Sequence, residues 1–116
     1  MSLAPIVIVG SRLEGPVIES GGIWYIKFGQ SSSAVVDWEG GTSPYIINIL
    51  GRRNTGQTFI NQQVTKTTPT DHAWQIPALN FIGQGFIQMN VRSQGVAGLA
   101  TVRLQIEVRD PSDPIF

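Results

Sequence analysis

Residues 34–51 read AVVDWEGGTSPYIINILG, and this stretch decides the fold class. Apolar residues alternate with other positions on both sides of the Gly40-Gly41 pair. Alternation with a period of two is the pattern of a β-strand that buries one face, and adjacent glycines favour a turn. The stretch therefore predicts two strands, at 33–41 and 43–51, separated by a glycine-rich turn.

The same alternation recurs at short intervals along the rest of the chain, and no window holds an amphipathic helical repeat. Further strands are predicted at 22–29, 57–67, 72–77, 85–93 and 99–110. The segment 57–67, QTFINQQVTKT, is predicted to be an edge strand, because its outward positions are mostly hydrogen-bonding side chains. The glycine-bounded loop QGVAG, at 94–98, suits a hairpin between the last two strands.

The N-terminal segment carries weaker signals. PIVIV, at 5–9, is predicted to form an additional strand or an edge partner, whereas the glycine-rich residues 11–22 are interpreted as a loop or irregular edge. With 116 residues, the chain has the size of one domain with one core. We therefore expect a single domain, 1–116, with 1–21 as an N-terminal edge strand or arm and 110–116 as a C-terminal tail.

The number and spacing of the strands indicate the architecture. About seven principal strands in about a hundred residues is the spacing of immunoglobulin-like domains. The sequence therefore predicts an all-β fold, an immunoglobulin-like antiparallel β-sandwich of about seven strands. A jelly roll or a small β-barrel would draw on the same alternation, and both stay as alternatives.

Three stretches of the chain resemble a known class of module. WEGGTSPYIINIL, WQIPALNFIGQGFIQMNV and ATVRLQIEV, within residues 22–109, resemble the B–C and E–F–G halves of cysteine-free immunoglobulin-like and fibronectin-like modules. Leu79, Gly83 and Gly85 match the leucine, the glycine and the β-run that such modules often carry at the E–F corner, while the corner tyrosine is absent. The resemblance implies a sandwich of the kind found in phage or virus structural proteins and in bacterial surface proteins.

Composition argues against several classes of function. Charged residues make up 14% of the chain, against roughly 25% in an average globular protein, and eight basic residues balance eight acidic ones. A nucleic-acid footprint needs a basic stripe, and a membrane span needs about 20 consecutive apolar residues. Cysteine is absent, which removes disulfides and thiolate ligands. We expect no nucleic-acid partner, no membrane span, no metal and no cofactor.

The candidate catalytic groups are few, and each has a structural interpretation. Asp37 and Glu39 bracket a strand end, where acidic residues beside glycines are ordinary turn positions rather than paired catalytic carboxylates or calcium ligands. The single histidine, His72, shares the parity of Trp74 and is predicted to be buried or half-buried. Asp110 and Asp113, in RDPSDP, could bind calcium, but a proline-bounded tail is the favoured interpretation. The sequence therefore predicts no enzyme and no catalytic residue.

Aromatic and outward apolar residues give the candidate binding surfaces. The three tryptophans fall on the apolar parity of their strands and are predicted to lie in the core. Tyr25 and Tyr45 form a candidate glycan platform, if both lie exposed in a row on one sheet. Val35, Ile46 and Leu50 occupy predicted outward positions and form a candidate protein interface, since contiguous exposed apolar surface marks protein contact.

These features together predict a non-catalytic structural or assembly module that acts through protein–protein contacts. Its partner would be a protein or a second copy of the chain, in a homo-oligomer or a larger assembly. The composition resembles modules that decorate phage or virus capsids, tails and fibres, so the expected location is a virion or an extracellular or cell surface. The alternative is a carbohydrate-binding or adhesion module of a cell-surface protein, with a glycan as its partner.

Overall fold

The computed structural model describes residues 5–67, 70–93 and 98–116, which form nine β-strands. These strands pair in two sheets, a three-stranded sheet with the order β1-β4-β7 and a six-stranded sheet with the order β2-β3-β9-β8-β5-β6. The strand bounds are β1 Val7–Glu14, β2 Val17–Ser20, β3 Ile23–Lys27, β4 Ser32–Glu39, β5 Tyr45–Arg53, β6 Thr58–Lys66, β7 Asp71–Ile76, β8 Gly83–Ser93 and β9 Ala100–Arg109. The predicted all-β sandwich is confirmed.

The core lies between the two sheets and follows the alternation of the strands. In residues 45–51 of β5 and 85–93 of β8 every second residue is buried, among them Ile47, Ile49 and Met89 at 0% exposure. Trp38 and Trp74 face them from the three-stranded sheet, each 2% exposed, so their predicted core positions are confirmed. Aromatic rings of this size bury a large apolar area, and the burial of apolar area is the dominant favourable term in folding.

The chain changes sheets within the stretch AVVDWEGGTSPYIINILG. Its first half is β4, in the three-stranded sheet, and its second half is β5, in the six-stranded sheet. Gly40 and Gly41 have φ angles of 81° and 64°, a left-handed conformation that side chains disfavour. The glycine pair therefore carries the chain across the sandwich, and the two strands that it joins do not form a hairpin.

The N-terminal segment contains more strand than the sequence predicted. The segment predicted as a loop or irregular edge contributes the second half of β1 and all of β2. β1 buries Leu13 against the core but presents Arg12 and Glu14 outward, and these charged residues concealed the strand signal. At Gly15, with φ 110°, the chain leaves the three-stranded sheet for the six-stranded one.

The structure differs from the predicted architecture in two details. The sandwich has nine strands rather than about seven, because β1 and β2 were not counted among the principal strands. It is also not fully antiparallel, since β3 pairs in parallel with β9 over Ile23–Lys27. The other strand pairs are antiparallel, and residues 94–97 of the predicted QGVAG hairpin lie outside the described residues.

The division of strands between the sheets follows a known scheme. If β4, β5, β7, β8 and β9 are taken as strands B, C, E, F and G, then B and E share one sheet while C, F and G share the other. Immunoglobulin-like sandwiches divide their strands in this way. In this order β6 forms one edge of the larger sheet, and β5 is its neighbour.

Candidate interaction surfaces

The outer face of the six-stranded sheet is covered by side chains that bond to one another across strands. Most of them are amides or hydroxyls, and they meet their cross-strand neighbours directly. Three hydrogen bonds show the pattern: Asn48 Nδ2 to Gln63 Oε1 at 3.0 Å, Thr101 Oγ1 to Asn90 Oδ1 at 2.9 Å, and Arg103 Nη2 to Gln88 Oε1 at 2.9 Å. Such pairs stabilise a sheet by up to about 1 kcal/mol each.

Two arginines cover aromatic rings on the same face. The Arg103 guanidinium carbon lies 4.1 Å from the centre of the Phe86 ring, and that of Arg109 lies 4.7 Å from the centre of the Tyr25 ring. Both distances fit cation–π contacts. These pairs could not be predicted from the sequence, because each joins strands whose register is set only by the tertiary structure.

The two tyrosines of the candidate glycan platform lie on opposite faces of the larger sheet. Tyr25 faces outward beneath Arg109, whereas Tyr45 is 8% exposed and packs in the core. The Tyr45 ring meets that of Trp38 edge to face, with centres 5.4 Å apart. The expected row of two exposed tyrosines is therefore not formed, because Tyr45 follows the inward parity of Ile47.

The three residues of the candidate protein interface lie on different sheets. Val35 is 6% exposed, so its predicted outward exposure was wrong. It lies on the central strand of the smaller sheet, between Arg12 on β1 and Ala73 on β7, and these neighbours surround it. Ile46 and Leu50 lie together on the outer face of β5 and are partly exposed.

Strand β6 borders Ile46 and Leu50 and forms one edge of the larger sheet, as the sequence predicted. It is nine residues long, contains no proline, and its only charged residue is Lys66, at its end. Among the described residues, only β5 pairs with it, and its regular pairing runs from Ile60 to Lys66. A long uncharged edge presents unpaired N–H and C=O groups to other chains.

The other sheet edges carry features that oppose pairing. β1 has a bulge between Ile8 and Gly10, and it presents Arg12 outward. β2 has only four residues, and β7 begins at Asp71 and is followed by Pro77. Bulges, short length, charge and proline are the means by which proteins protect edge strands. β6 also has a register irregularity near its start, but from Ile60 to Lys66 its pairing is regular, and there it is the least protected of the four edges.

Two acidic residues that the sequence singled out, Asp37 and Glu39, lie on β4 of the smaller sheet. Asp37 faces outward and accepts a hydrogen bond from Arg12 Nη1 at 3.3 Å. Glu39 is exposed at the end of β4, beside the glycine turn. The carboxylate of Asp37 is thus bound to Arg12, which also donates to Glu14.

His72 is half-buried on the inward side of β7, as predicted. Its ring meets Trp74 edge to face, with centres 4.5 Å apart. Burial lowers the pKa of the His72 imidazole, and the positive charge of Lys66 lowers it further, while Asp71 opposes both. The environment therefore favours the neutral ring, and the contact with Trp74 gives the histidine a packing role.

The C-terminal acidic residues fold back on their own segment. Asp110 accepts hydrogen bonds from the backbone and the hydroxyl of Ser112, which lower the pKa of its carboxyl group. Asp113 accepts from Arg109 Nη1 at 3.3 Å, and Arg109 also pairs with Glu107. These residues line a shallow cleft of about 470 Å³ between β8, β9 and the tail. Its carboxylates thus already have partners within the chain.

The part of the chain that the structure describes contains neither a metal-binding cluster nor a helix that could span a membrane. Residues 5–67, 70–93 and 98–116 contain no group of three or more histidine, cysteine, aspartate or glutamate side chains placed to hold a metal ion. Over the same ranges, no helix has the length and apolar character needed to cross a membrane.

Comparison with known proteins gives distant structural similarity but no sequence match. No protein-family model matches the chain, and no curated protein matches it. A solved structure, the Lactobacillus rhamnosus Beta-glucuronidase, aligns with 91% of this chain at 10% sequence identity and a TM-score of 0.48. The aligned region covers 16% of that protein's chain, so this chain spans a small part of its length. A similarity at this level carries no argument about activity.

Proposed function

We propose that this protein is a non-catalytic structural or assembly module, immunoglobulin-like in type, which acts through protein–protein contacts. The observation that carries the proposal is the open edge at β6, which is nine residues long, contains no proline and has its single charged residue, Lys66, at its end. Open edges of this kind form intermolecular sheets, in which main-chain hydrogen bonds give affinity and alternate side chains give specificity. A decorating or scaffolding component of a virion or cell surface uses such contacts.

The partly exposed residues Ile46 and Leu50 extend this surface beyond the edge. Ile46 lies opposite Thr65 of β6, and Leu50 lies opposite Asn61, so these two apolar side chains adjoin uncharged polar side chains of the edge strand. We call β6, together with Ile46 and Leu50 of β5, the β5–β6 surface. A partner that adds a strand to β6 would also cover part of this area.

The alternative, a carbohydrate-binding or adhesion module, has less support. A glycan platform needs aromatic ring faces that are open to the sugar. Tyr45 is buried, and the guanidinium groups of Arg109 and Arg103 lie over Tyr25 and Phe86. The open edge therefore favours a protein partner.

Light scattering over a concentration series tests the proposed function. We expect a mass that rises with concentration above that of one 12.6 kDa chain. The double variant Ile46→Asp, Leu50→Asp should lower this association, and an unchanged mass would exclude the outer face of β5 as an interface. A strictly monomeric wild type that binds sugars on a glycan array would overturn the proposal in favour of the carbohydrate-binding alternative.

A further inference from the structure

The sequence of the β6 edge is self-complementary. Its centre reads Ile60-Asn61-Gln62-Gln63-Val64. When two copies of this segment run antiparallel about Gln62, isoleucine meets valine, asparagine meets glutamine, and Gln62 meets its own copy. A two-fold axis through Gln62 therefore places like side chains together at every position of the segment.

The faces of the strand agree with this register. Ile60, Gln62 and Val64 lie opposite inward residues of β5, while Asn61 and Gln63 lie on the outer face. In an antiparallel pair, directly opposed residues share a face of the sheet. The proposed register thus joins apolar residues on the inner side and amides on the outer side.

Other registers fit less well. An axis through Asn61 would oppose Ile60 with Gln62, and an axis through Gln63 would oppose Ile60 with Lys66. A shift of the register by one residue would place inward side chains opposite outward ones. The apolar residues of β6 therefore select the axis through Gln62.

Gln62 itself supports an additional strand beside β6. It lies on the inward parity of β6, opposite Ile49, yet it is exposed, whereas Ile60 on the same face is buried. No charged side chain occurs between Thr58 and Thr65, so a second copy meets no like charge along the paired segment. A partner of unrelated sequence would not require the strand to be self-complementary.

We infer that two copies of this chain associate through antiparallel pairing of their β6 strands about a two-fold axis at Gln62. The two six-stranded sheets then form one continuous sheet, and the outer faces of both copies lie on the same side of it. Such an isologous contact closes on itself, as most homo-oligomeric interfaces do. The inference rests on the proposed assembly function and names its partner.

Charge substitutions at Gln62 test the register. Gln62→Lys places two positive charges together at the axis, and Gln62→Glu places two negative ones there. Each variant alone should raise the dissociation constant of the dimer by roughly tenfold or more. An equimolar mixture of the two should restore association as a heterodimer, detected by native mass spectrometry. Gln105→Lys makes the same change on an exposed position of β9, far from the edge, and should leave the dimer intact.

Disulfide trapping gives an independent measurement, because the chain contains no cysteine. Directly opposed residues of antiparallel strands have Cβ atoms about 5 Å apart, within reach of a disulfide after small adjustments. Gln62→Cys should therefore cross-link to its own copy under mild oxidation and give a dimer on a non-reducing gel. Gln105→Cys is the matched control and should stay monomeric on that gel.

The outcomes separate this inference from the proposed function. If the wild type associates and both charge variants have the same mass as the wild type in solution, pairing through β6 is overturned and the assembly function stands. A mixture that fails to restore association, or a Gln62→Cys variant that does not cross-link, would overturn the register. A wild type that is monomeric at every concentration would overturn this inference, and the proposed function would be overturned only if that monomer also binds sugars on a glycan array.

Discussion

Ile46 and Ile47 offer a matched test of which residues of β5 face outward, and the β5–β6 surface depends on this assignment. The two residues are adjacent and identical in type, but Ile47 is 0% exposed in the core and Ile46 is partly exposed on the outer face. Substitution of each by alanine removes the same atoms. We expect Ile47→Ala to destabilise the fold much more than Ile46→Ala.

The magnitude follows from burial. At about 0.8 kcal/mol per buried methylene group, the atoms lost from Ile47 are worth about 2.5 kcal/mol, and the cavity raises the total to about 3 to 4 kcal/mol. Ile46 keeps part of its side chain in water in the native state, so its loss is about 1 kcal/mol. The lower β-propensity of alanine affects both variants alike and cancels in the difference, which is about 2 kcal/mol or more.

Denaturant unfolding at one low protein concentration is the assay, because association would otherwise add to the stability. The midpoint for Ile47→Ala should fall far below that of Ile46→Ala, with the slope unchanged. In a thermal scan, the difference corresponds to roughly 8 °C for a domain of this size. Equal losses in the two variants would refute the assignment of faces in β5, and with it the outward position of Ile46.

Three further perturbations have defined outcomes. Stability should fall as the pH drops from about 7.5 to about 5.5, because the pKa of His72 is lower in the folded chain and the unfolded chain therefore binds the proton first. His72→Gln should make stability less dependent on pH over this range. Gly85→Ala would force a methyl group against the backbone carbonyl of Arg52. We therefore expect thermal unfolding to show a loss of stability of about 2 kcal/mol. An unchanged midpoint would contradict the close contact between the two strands. Arg103→Ala should lower the free energy of unfolding by about 1 kcal/mol in denaturant titrations, because it removes the contact with Phe86. If the same substitution has no effect in a Phe86→Leu background, the contribution comes from the contact with the ring.

Only part of the candidate surfaces could be predicted from the sequence. The edge position of β6 was predicted from its polar outward residues, and the structure confirms it. The burial of Val35 was missed, since it depends on Arg12 and Ala73, which come from strands distant in sequence. The arginine that covers Tyr25 was missed for the same reason.

The sequence by itself determined the fold class and the inward faces of the main strands. Alternation is a local property with a period of two, so Ile47, Ile87 and Val108 could be placed in the core without knowledge of their partners.

The tertiary structure decided which strands pair. Only in the folded chain does β3 run parallel to β9, and only there does the glycine turn after β4 lead to the other sheet. Many pairings satisfy the same local alternation, and packing of the two sheets around one core selects among them.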